Sequence, residues 1–279
     1  MTDAFTITQP DDPAHAVPMV VHIPHAGTRV PDDVRARMHL PDDALADEIR
    51  AMTDWHTDAL FGPAGQEAGA TVMVNHISRL VADPERLPNH AEPMAAVGMG
   101  AVYTHTRHGV PLRSKVETPA LLDRFFQPWA DHVEAAVAAQ VDAFGRCLVL
   151  DAHSFPSTAF PFEDPGAVRP DIDLGWSEPH RPDGLVESVS EVVEAHGWSV
   201  AENSPFAGAY VPLLRFGSDE RVRSLMVEVN RGTHLDEATG APGAGWDVAA
   251  RVIGEVVHHA AAWAAALEDT PTTPDRPEL

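Results

Sequence analysis

The stretch that decides the fold is Arg-Cys-Leu-Val-Leu-Asp-Ala-His-Ser at residues 146–154, where an apolar run leads into residues that carry chemistry. A short, continuous apolar run of this kind predicts a strand that is buried on both faces of a sheet. Four other runs, the last of them shorter, predict its neighbours: Val17–Ile23, Ala70–Ile77, Leu225–Val229 and Trp198–Ala201.

Segments with helical periodicity alternate with these strands. Thr118–Phe144 opens with a Thr cap and Pro119 in its first turn, and it ends at Gly145. Three other segments complete the predicted helices: Asp42–Phe61, which is followed by Gly62-Pro63, Asp183–Ala195 and Trp246–Leu267.

This alternation predicts an α/β fold with three layers, α/β/α, around a mixed, mostly parallel sheet. We expect one domain over residues 1–267. The last residues, 268–279, are rich in Pro and charge and predict a disordered tail.

Composition excludes several functions. A net charge of −23 argues against binding to nucleic acid or to an anionic membrane. No apolar run reaches the ~20 residues that span a bilayer, and the acidic N-terminus does not resemble a signal peptide, so we expect a cytoplasmic protein. Cys147 is the only cysteine, which leaves the sixteen histidines and the carboxylates as possible metal ligands.

Reactive side chains follow the predicted strands. His25 follows the first strand, Arg79 the second and His153 the third, while Glu228 lies in the fourth. Because ligands of open α/β sheets bind beyond the carboxyl ends of the strands, we expect these side chains to converge at one edge.

Two histidines in small-residue turns predict a site for one divalent metal, with zinc as the first candidate. A catalytic zinc site needs three protein ligands and one open position. His25 and His153 supply two ligands, and Asp54 is the favoured third, with His56 and Asp58 as alternatives. Each of these residues, taken alone, could instead be a buried core residue, a helix cap or a solvated surface residue.

Glu228 and two arginines complete the predicted site. A carboxylate at a strand end can take a proton from water and pass it to a leaving amine, although Glu228 could instead pair with Arg231. Arg79 and Arg86 are candidate clamps for an anionic substrate, although Asp83 and Glu85 between them could neutralise both.

A set of short motifs occurs in order from residue 24 to about residue 231. The motifs are Pro24-His25-Ala26-Gly27, Thr53-Asp54-Trp55-His56, Asn75-His76-Ile77-Ser78-Arg79 with Asp83 and Arg86, Asp151-Ala152-His153-Ser154, Pro170–Gly175, Asn203 through Phe206 to Gly208, and Glu228. In this combination the chain resembles the N-formylglutamate amidohydrolase family.

The resemblance implies a fold like that of the zinc peptidases, of the phosphorylase/hydrolase-like type. It also implies removal of a formyl or other small acyl group from an N-acyl amino acid by water activated on the metal, as in histidine degradation. By position, His25, Asp54 and His153 would hold the metal and Glu228 would be the base. The substrate would be a small anionic N-acyl amino acid, and the residues that bind it would be Arg79, Arg86, Asn203 and Gly208.

The chain departs from the family pattern at Glu85. The family usually reads Asp-Leu-Asn-Arg where this chain has Asp83-Pro84-Glu85-Arg86, so a negative charge is added where a dicarboxylate would bind. Two alternatives therefore stay open. One is an aminoacylase, carboxypeptidase or deformylase for a different N-blocked amino acid or peptide, and the other is a metal-dependent binding protein without turnover.

Overall fold

A seven-stranded mixed sheet organises the protein in the computed structural model, which describes residues 4–266 except positions 162 and 165. The spatial order is β1-β3-β2-β4-β7-β5-β6, with β1 and β5 antiparallel to their neighbours β3 and β7. The strands are β1 (Phe5–Thr8), β2 (Met19–Ile23), β3 (Thr71–Asn75), β4 (Cys147–Phe155), β5 (Ile172–Gly175), β6 (Val200–Glu202) and β7 (Val222–Asn230). A two-stranded hairpin, β8 (Leu235–Asp236) and β9 (Ala241–Pro242), lies outside this sheet.

Helices cover both faces of the sheet. They are α1 (Asp32–Arg35), α2 (Asp42–Met52), α3 (Thr57–Glu67), α4 (Thr118–Leu121), α5 (Gln127–Phe144), α6 (Leu185–Ala195) and α7 (Trp246–Ala266), with a π-helical turn, Leu122–Phe126, between α4 and α5. The helices α3, α6 and α7 share one apolar cluster with β2, β4 and β7, whereas α5 packs in another cluster on the opposite face. The predicted three-layer architecture is therefore confirmed.

The alternation of side chains along the strands divides the two faces. In β4, Leu148, Leu150 and Ala152 lie in the cluster with α3, α6 and α7, while Cys147 and Val149 lie in the cluster with α5. Because side chains alternate along a strand, the later odd-numbered residues of β4 face the side of α5. The α5 cluster ends at Val149 on β4, so the second half of this face is left for polar side chains.

The prediction of one helix over Asp42–Phe61 is wrong. The chain forms α2 and α3 with a break at residues 53–56, and Gly62-Pro63 lies inside α3 rather than after its end. The break is stabilised by tertiary contacts, because the amide of Asp54 donates to the carbonyl oxygen of His25 at 3.0 Å. Apolar periodicity continues through such a break and does not reveal it.

The remaining differences concern the strands. β4 extends past the apolar run that predicted it, so His153 lies within the strand rather than beyond its end. β7 is also longer than its predicted run and contains Glu228, as predicted. β1 and β5 were not predicted, since each has four residues and β5 contains the charged Asp173. The predicted tail, 268–279, lies outside the described residues. Within the residues that the structure describes, no helix has the length and apolar character to cross a membrane.

Candidate metal centre and catalytic site

Two imidazoles and a carboxylate meet at the polar half of the sheet face on the side of α5. The Nδ1 atoms of His25 and His153 are 3.3 Å apart. Asp54 Oδ2 lies 3.0 Å from Nδ1 of His153 and 3.7 Å from Nδ1 of His25. All three residues are buried. The structure thus brings together the three side chains that the sequence singled out as metal ligands.

The spacing of these atoms fits a tetrahedral metal. With metal–ligand lengths of ~2.0–2.1 Å, the ligand atoms of a tetrahedral zinc site lie about 3.3 Å from one another. The observed separations, 3.0, 3.3 and 3.7 Å, bracket that value. Two nitrogens and one carboxylate oxygen are also a donor set that zinc accepts.

The second nitrogen of each imidazole is held by a buried carboxylate. His25 Nε2 lies 2.9 Å from Asp83 Oδ1, and His153 Nε2 lies 3.1 Å from Asp151 Oδ1. A carboxylate at this position accepts a hydrogen bond from the N–H at Nε2 and leaves a lone pair on Nδ1, which is how metal-ligating histidines are usually oriented. Both imidazoles therefore direct Nδ1 toward the shared centre.

His25 is positioned by a tight turn after β2. The side-chain amide of Asn75 donates to the carbonyl oxygen of Pro24 at 2.9 Å. Gly27 passes so close to the next strand segment that a Cβ there would lie 2.3 Å from the carbonyl carbon of His76. Only glycine fits at that point, so the turn that carries His25 is fixed by backbone packing.

Asp54 is positioned in the break between α2 and α3. Arg231 donates to its other oxygen, Oδ1, at 2.9 Å. The alternative ligands are directed elsewhere, since His56 Nε2 lies 2.9 Å from the carbonyl oxygen of Gly240 and Asp58 is exposed on α3. Of the three candidates for the third position, only Asp54 reaches the histidines.

Charge around the imidazoles favours a cation. Burial and Arg79 lower the pKa of His25, but the carboxylates of Asp83 and Glu85 outweigh them, and the net shift is upward. Burial likewise lowers the pKa of His153, and the neighbouring carboxylates, Glu85 first, raise it well above its usual value. The same negative charges would favour a metal cation that takes the place of those protons between the two imidazoles.

Glu228 lies beside this centre on β7. It is the register partner of His153 on one side and of Asp173 on the other. Directly opposed residues in neighbouring strands have Cβ atoms about 4.5–5.5 Å apart, so the three form a row on the same face. Glu228 is 8% exposed and its Oε2 has no hydrogen-bond partner within the described residues.

The pKa of Glu228 is raised to about 8. Burial is the main cause, with the positive charge of His153 opposing it and the negative charges of Asp54 and Asp173 adding to it. The structure records no hydrogen bond between Glu228 and Arg231, since Nε, Nη1 and Nη2 of Arg231 donate to Ser154, to the Ala51 carbonyl oxygen and to Asp54. A buried carboxylate with a free oxygen and a raised pKa is equipped to carry a proton.

A cavity of about 310 Å³ opens over these groups. Its lining combines the metal-centre residues with arginines, carboxylates and apolar side chains, including Arg79, Arg86, Glu85, Glu163, Phe155, Phe206, Gly208, Tyr210 and Glu228. A volume of this size accommodates a small amino-acid derivative.

Comparison with known proteins identifies the family. The family model for N-formylglutamate amidohydrolase matches residues 17–235, which is most of the chain. The chain belongs to the N-formylglutamate amidohydrolase family. The matched stretch includes the positions of His25, Asp54, His153 and Glu228, and the resemblance inferred from the motifs is confirmed.

Individual relatives agree with this assignment. The N-formylglutamate deformylase of Pseudomonas aeruginosa is 30% identical over 232 residues, covering 79% of this chain and 83% of that protein. The enzyme of the same name from Pseudomonas putida is 28% identical with the same coverage. By family, this N-formylglutamate amidohydrolase homologue is a hydrolase that acts on an amide.

Solved structures share the fold. The N-formylglutamate amidohydrolase of Ralstonia eutropha JMP134 superposes with a TM-score of 0.79 at 23% identity, covering 94% of this chain and 98% of that one. A protein of Agrobacterium tumefaciens gives a TM-score of 0.66 at 19% identity, with 92% and 94% covered. The family fold is therefore the α/β/α sandwich described here.

The four predicted substrate-binding residues differ in their placement within this family member. Gly208 lines the cavity, whereas the side-chain oxygen of Asn203 accepts from the amides of Trp176 and Gly208, both at 3.0 Å, and so supports the loop. Arg79 lines the cavity, but its Nε and Nη2 both donate to Asp83 Oδ2, at 3.0 and 2.7 Å. Arg86 is paired less closely, since its Nε lies 3.7 Å from Asp83 Oδ2 and its Nη1 lies 3.7 Å from Glu92 Oε1.

A second group, His22, Glu85 and Asp151, also has atoms close enough to hold a metal. The indole of Trp129 donates to His22 Nε2 at 3.2 Å, so that nitrogen carries the lone pair and Nδ1 carries the proton. Nδ1 then donates to Asp151 Oδ1 at 2.9 Å and has no lone pair for a cation. The hydrogen bond from His22 instead orients the Asp151 carboxylate. A histidine inside the apolar run of β2 was the sequence signal that was overlooked.

Proposed function

We propose that this protein is a metal-dependent amidohydrolase that removes the formyl group from an N-formyl amino acid, with N-formyl-L-glutamate as the first candidate substrate. The observation that carries the proposal is the meeting of His25, Asp54 and His153 at tetrahedral spacing next to Glu228, whose Oε2 is unpaired in the described part of the chain. The names of the Pseudomonas relatives supply the candidate substrate.

One divalent cation, with zinc as the first candidate, would be bound by Nδ1 of His25, Nδ1 of His153 and Oδ2 of Asp54. Such an ion would lower the pKa of water and polarise the acyl oxygen. Asp83 and Asp151 keep both imidazoles in the tautomer that leaves Nδ1 unprotonated.

Glu228 would move the protons of the reaction. Its ionised carboxylate accepts a proton as water attacks the acyl carbon, and the protonated form then donates to the amide nitrogen as the carbon–nitrogen bond breaks. The products are formate, or another small acid, and the free amino acid. The buried position of Glu228 raises its pKa, so both forms are accessible near neutral pH.

A second candidate is a hydrolase for a different N-acyl amino acid. Glu85 supports it, because its Oε1 lies 3.2 Å from His153 Nε2 and its Oε2 lies 3.6 Å from His25 Nδ1. A carboxylate so close to the centre repels a substrate with two negative charges more strongly than a substrate with one negative charge.

Cytoplasmic location and the absence of nucleic-acid partners stay predictions from the sequence.

The test is metal analysis of the purified protein combined with a release assay on N-formyl-glutamate, N-formyl-aspartate and N-acetyl amino acids. We expect about one divalent ion per chain and the highest kcat/KM on an N-formyl substrate. A protein that binds metal tightly but hydrolyses none of these compounds would instead be the binding protein without turnover.

The rate should depend on pH through Glu228. Since only the ionised carboxylate accepts a proton, kcat/KM should rise with pH, with a midpoint below about 8 because a bound cation lowers the pKa that burial raises. The charge of Asp173 raises the pKa of Glu228, so Asp173→Asn should move this limb to lower pH. A limb at the same pH in both folded proteins would assign it to another group.

Loss of the carboxylate behind His153 should weaken metal binding. Asp151→Asn keeps one oxygen but loses the charge that orients the imidazole, and we expect a ~10- to 100-fold rise in the Kd for zinc. Competition with a chromogenic chelator measures this. Asp58→Asn, at the exposed alternative position, is the matched control and should leave the Kd unchanged.

A further inference from the structure

Arg169 has unused hydrogen-bonding capacity in a buried position. Its side chain is 8% exposed, and its Nε and Nη1 have no hydrogen-bond partner within the described residues. Nη2 pairs with Glu163, whose own Oε1 is buried without a partner. Arg231, by comparison, uses all three of its nitrogens. Burying guanidinium donors without partners is costly, which points to an absent acceptor.

The position of Arg169 is fixed by the end of β7. The side chain and the amide of Asn230 donate to the carbonyl oxygens of Pro170 and Asp171, at 3.0 and 2.9 Å. This anchors the segment that leads into β5, where Asp173 opposes Glu228. The backbone that directly follows Arg169 is therefore bound to the strand pair that carries the proposed proton carrier.

Arg169 also lies directly behind the cavity wall. Its guanidinium carbon is 5.4 Å from the ring centre of Phe155 and 5.8 Å from that of Phe206. Both phenylalanines and Glu163 line the cavity. Glu163 thus belongs to the cavity lining while its carboxylate accepts from Nη2 of Arg169.

We propose that Arg169 binds the α-carboxylate of the substrate and that Glu163 occupies this arginine until the substrate displaces it. The inference rests on the proposed function. In an N-acyl amino acid the α-carboxylate is one carbon from the nitrogen that Glu228 protonates, so its receptor must lie near Glu228. A guanidinium binds a carboxylate through two parallel hydrogen bonds, from Nη2 together with either Nε or Nη1, so Arg169 can form this pair with the substrate once Glu163 leaves Nη2.

This assignment divides the arginines by role. Arg79 is engaged with Asp83, whereas Arg86 keeps its partners at 3.7 Å. Arg169 therefore recognises the group that every N-acyl amino acid shares, and Arg86 is left for an acidic side chain.

Steady-state kinetics with three probes tests the proposal: N-formyl-L-glutamate, N-formyl-L-isoglutamine, whose α-carboxylate is an amide, and N-formyl-L-glutamine, whose side chain is an amide. For the wild type we expect KM for the isoglutamine derivative to exceed that for the glutamate derivative by ~10- to 100-fold. Arg169→Met should raise KM for the glutamate and glutamine derivatives by a similar factor, leave the isoglutamine derivative nearly unchanged, and alter kcat little.

Three further variants sharpen the result. Arg169→Lys keeps the charge without the paired donors and should fall between the wild type and Arg169→Met. Glu163→Gln weakens the competing carboxylate and should lower KM for the glutamate derivative severalfold. Arg221→Met, at an exposed arginine that pairs with Asp219, is the control and should match the wild type.

Equal KM increases for all three probes in Arg169→Met would overturn the proposal and leave the proposed function intact. If the wild type hydrolyses none of the probes, calorimetric binding of the same compounds replaces kinetics. Binding that needs both the α-carboxylate and Arg169 then supports this inference while the proposed function fails. Absence of binding overturns both.

Discussion

Glu228→Gln is expected to lower kcat at least ~100-fold while leaving bound metal unchanged. Glutamine has nearly the same shape as glutamate but cannot accept and return a proton. Because Oε2 of Glu228 has no partner within the described residues, the substitution breaks no hydrogen bond that the structure records there. The folded structure should therefore tolerate the change, and the loss should appear in kcat.

The measurement is kcat and KM on N-formyl-L-glutamate together with metal content and thermal unfolding. Glu48→Gln is a matched control, because Glu48 is also buried but pairs with Arg107 away from the cavity. A Glu228→Gln protein with near-normal turnover would remove Glu228 from the reaction.

Loss of the metal centre should have the largest effect. Removal of the cation by a chelator should reduce activity at least ~1,000-fold, since a bound ion supplies several kcal/mol of charge stabilisation in the transition state. Activity should return when zinc is added. His153→Ala should show the same loss without recovery, because one of the three donors at the centre is absent.

A readout independent of activity is thermal stability. Zinc at 100 times its Kd should stabilise the wild type by about 2.7 kcal/mol, and the melting temperature should rise accordingly. His153→Ala should show little of this rise, whereas His258→Ala, at a half-exposed histidine on α7, should retain it. Full activity after exhaustive chelation would contradict the metal centre altogether.

The sequence predicted the family, the sandwich and the residues that converge, because these depend on local patterns. Buried strands appear as apolar runs, and His25, His153 and Glu228 adjoin them. The joint position of these side chains follows from the parallel arrangement of the strands. Their roles as ligands and base stay predictions.

The rest depends on contacts between distant segments. The break that places Asp54 is held by the carbonyl oxygen of His25, and the carboxylate behind His25 comes from Asp83, which the sequence offered only as an arginine partner. Arg169 carried no signal at all, since its importance lies in donors that lack acceptors. No periodicity or spacing encodes such facts.

The alternation along β4 has a consequence for how this protein can change over time. The same strand presents Leu150 and Ala152 to the apolar core, and Asp151 and His153 to the cavity. An insertion of one residue before Asp151 would exchange the two sets and bury the charges in the core, whereas an insertion of two would restore the parity. Length variation in this strand should therefore occur in even steps among homologues that remain enzymes.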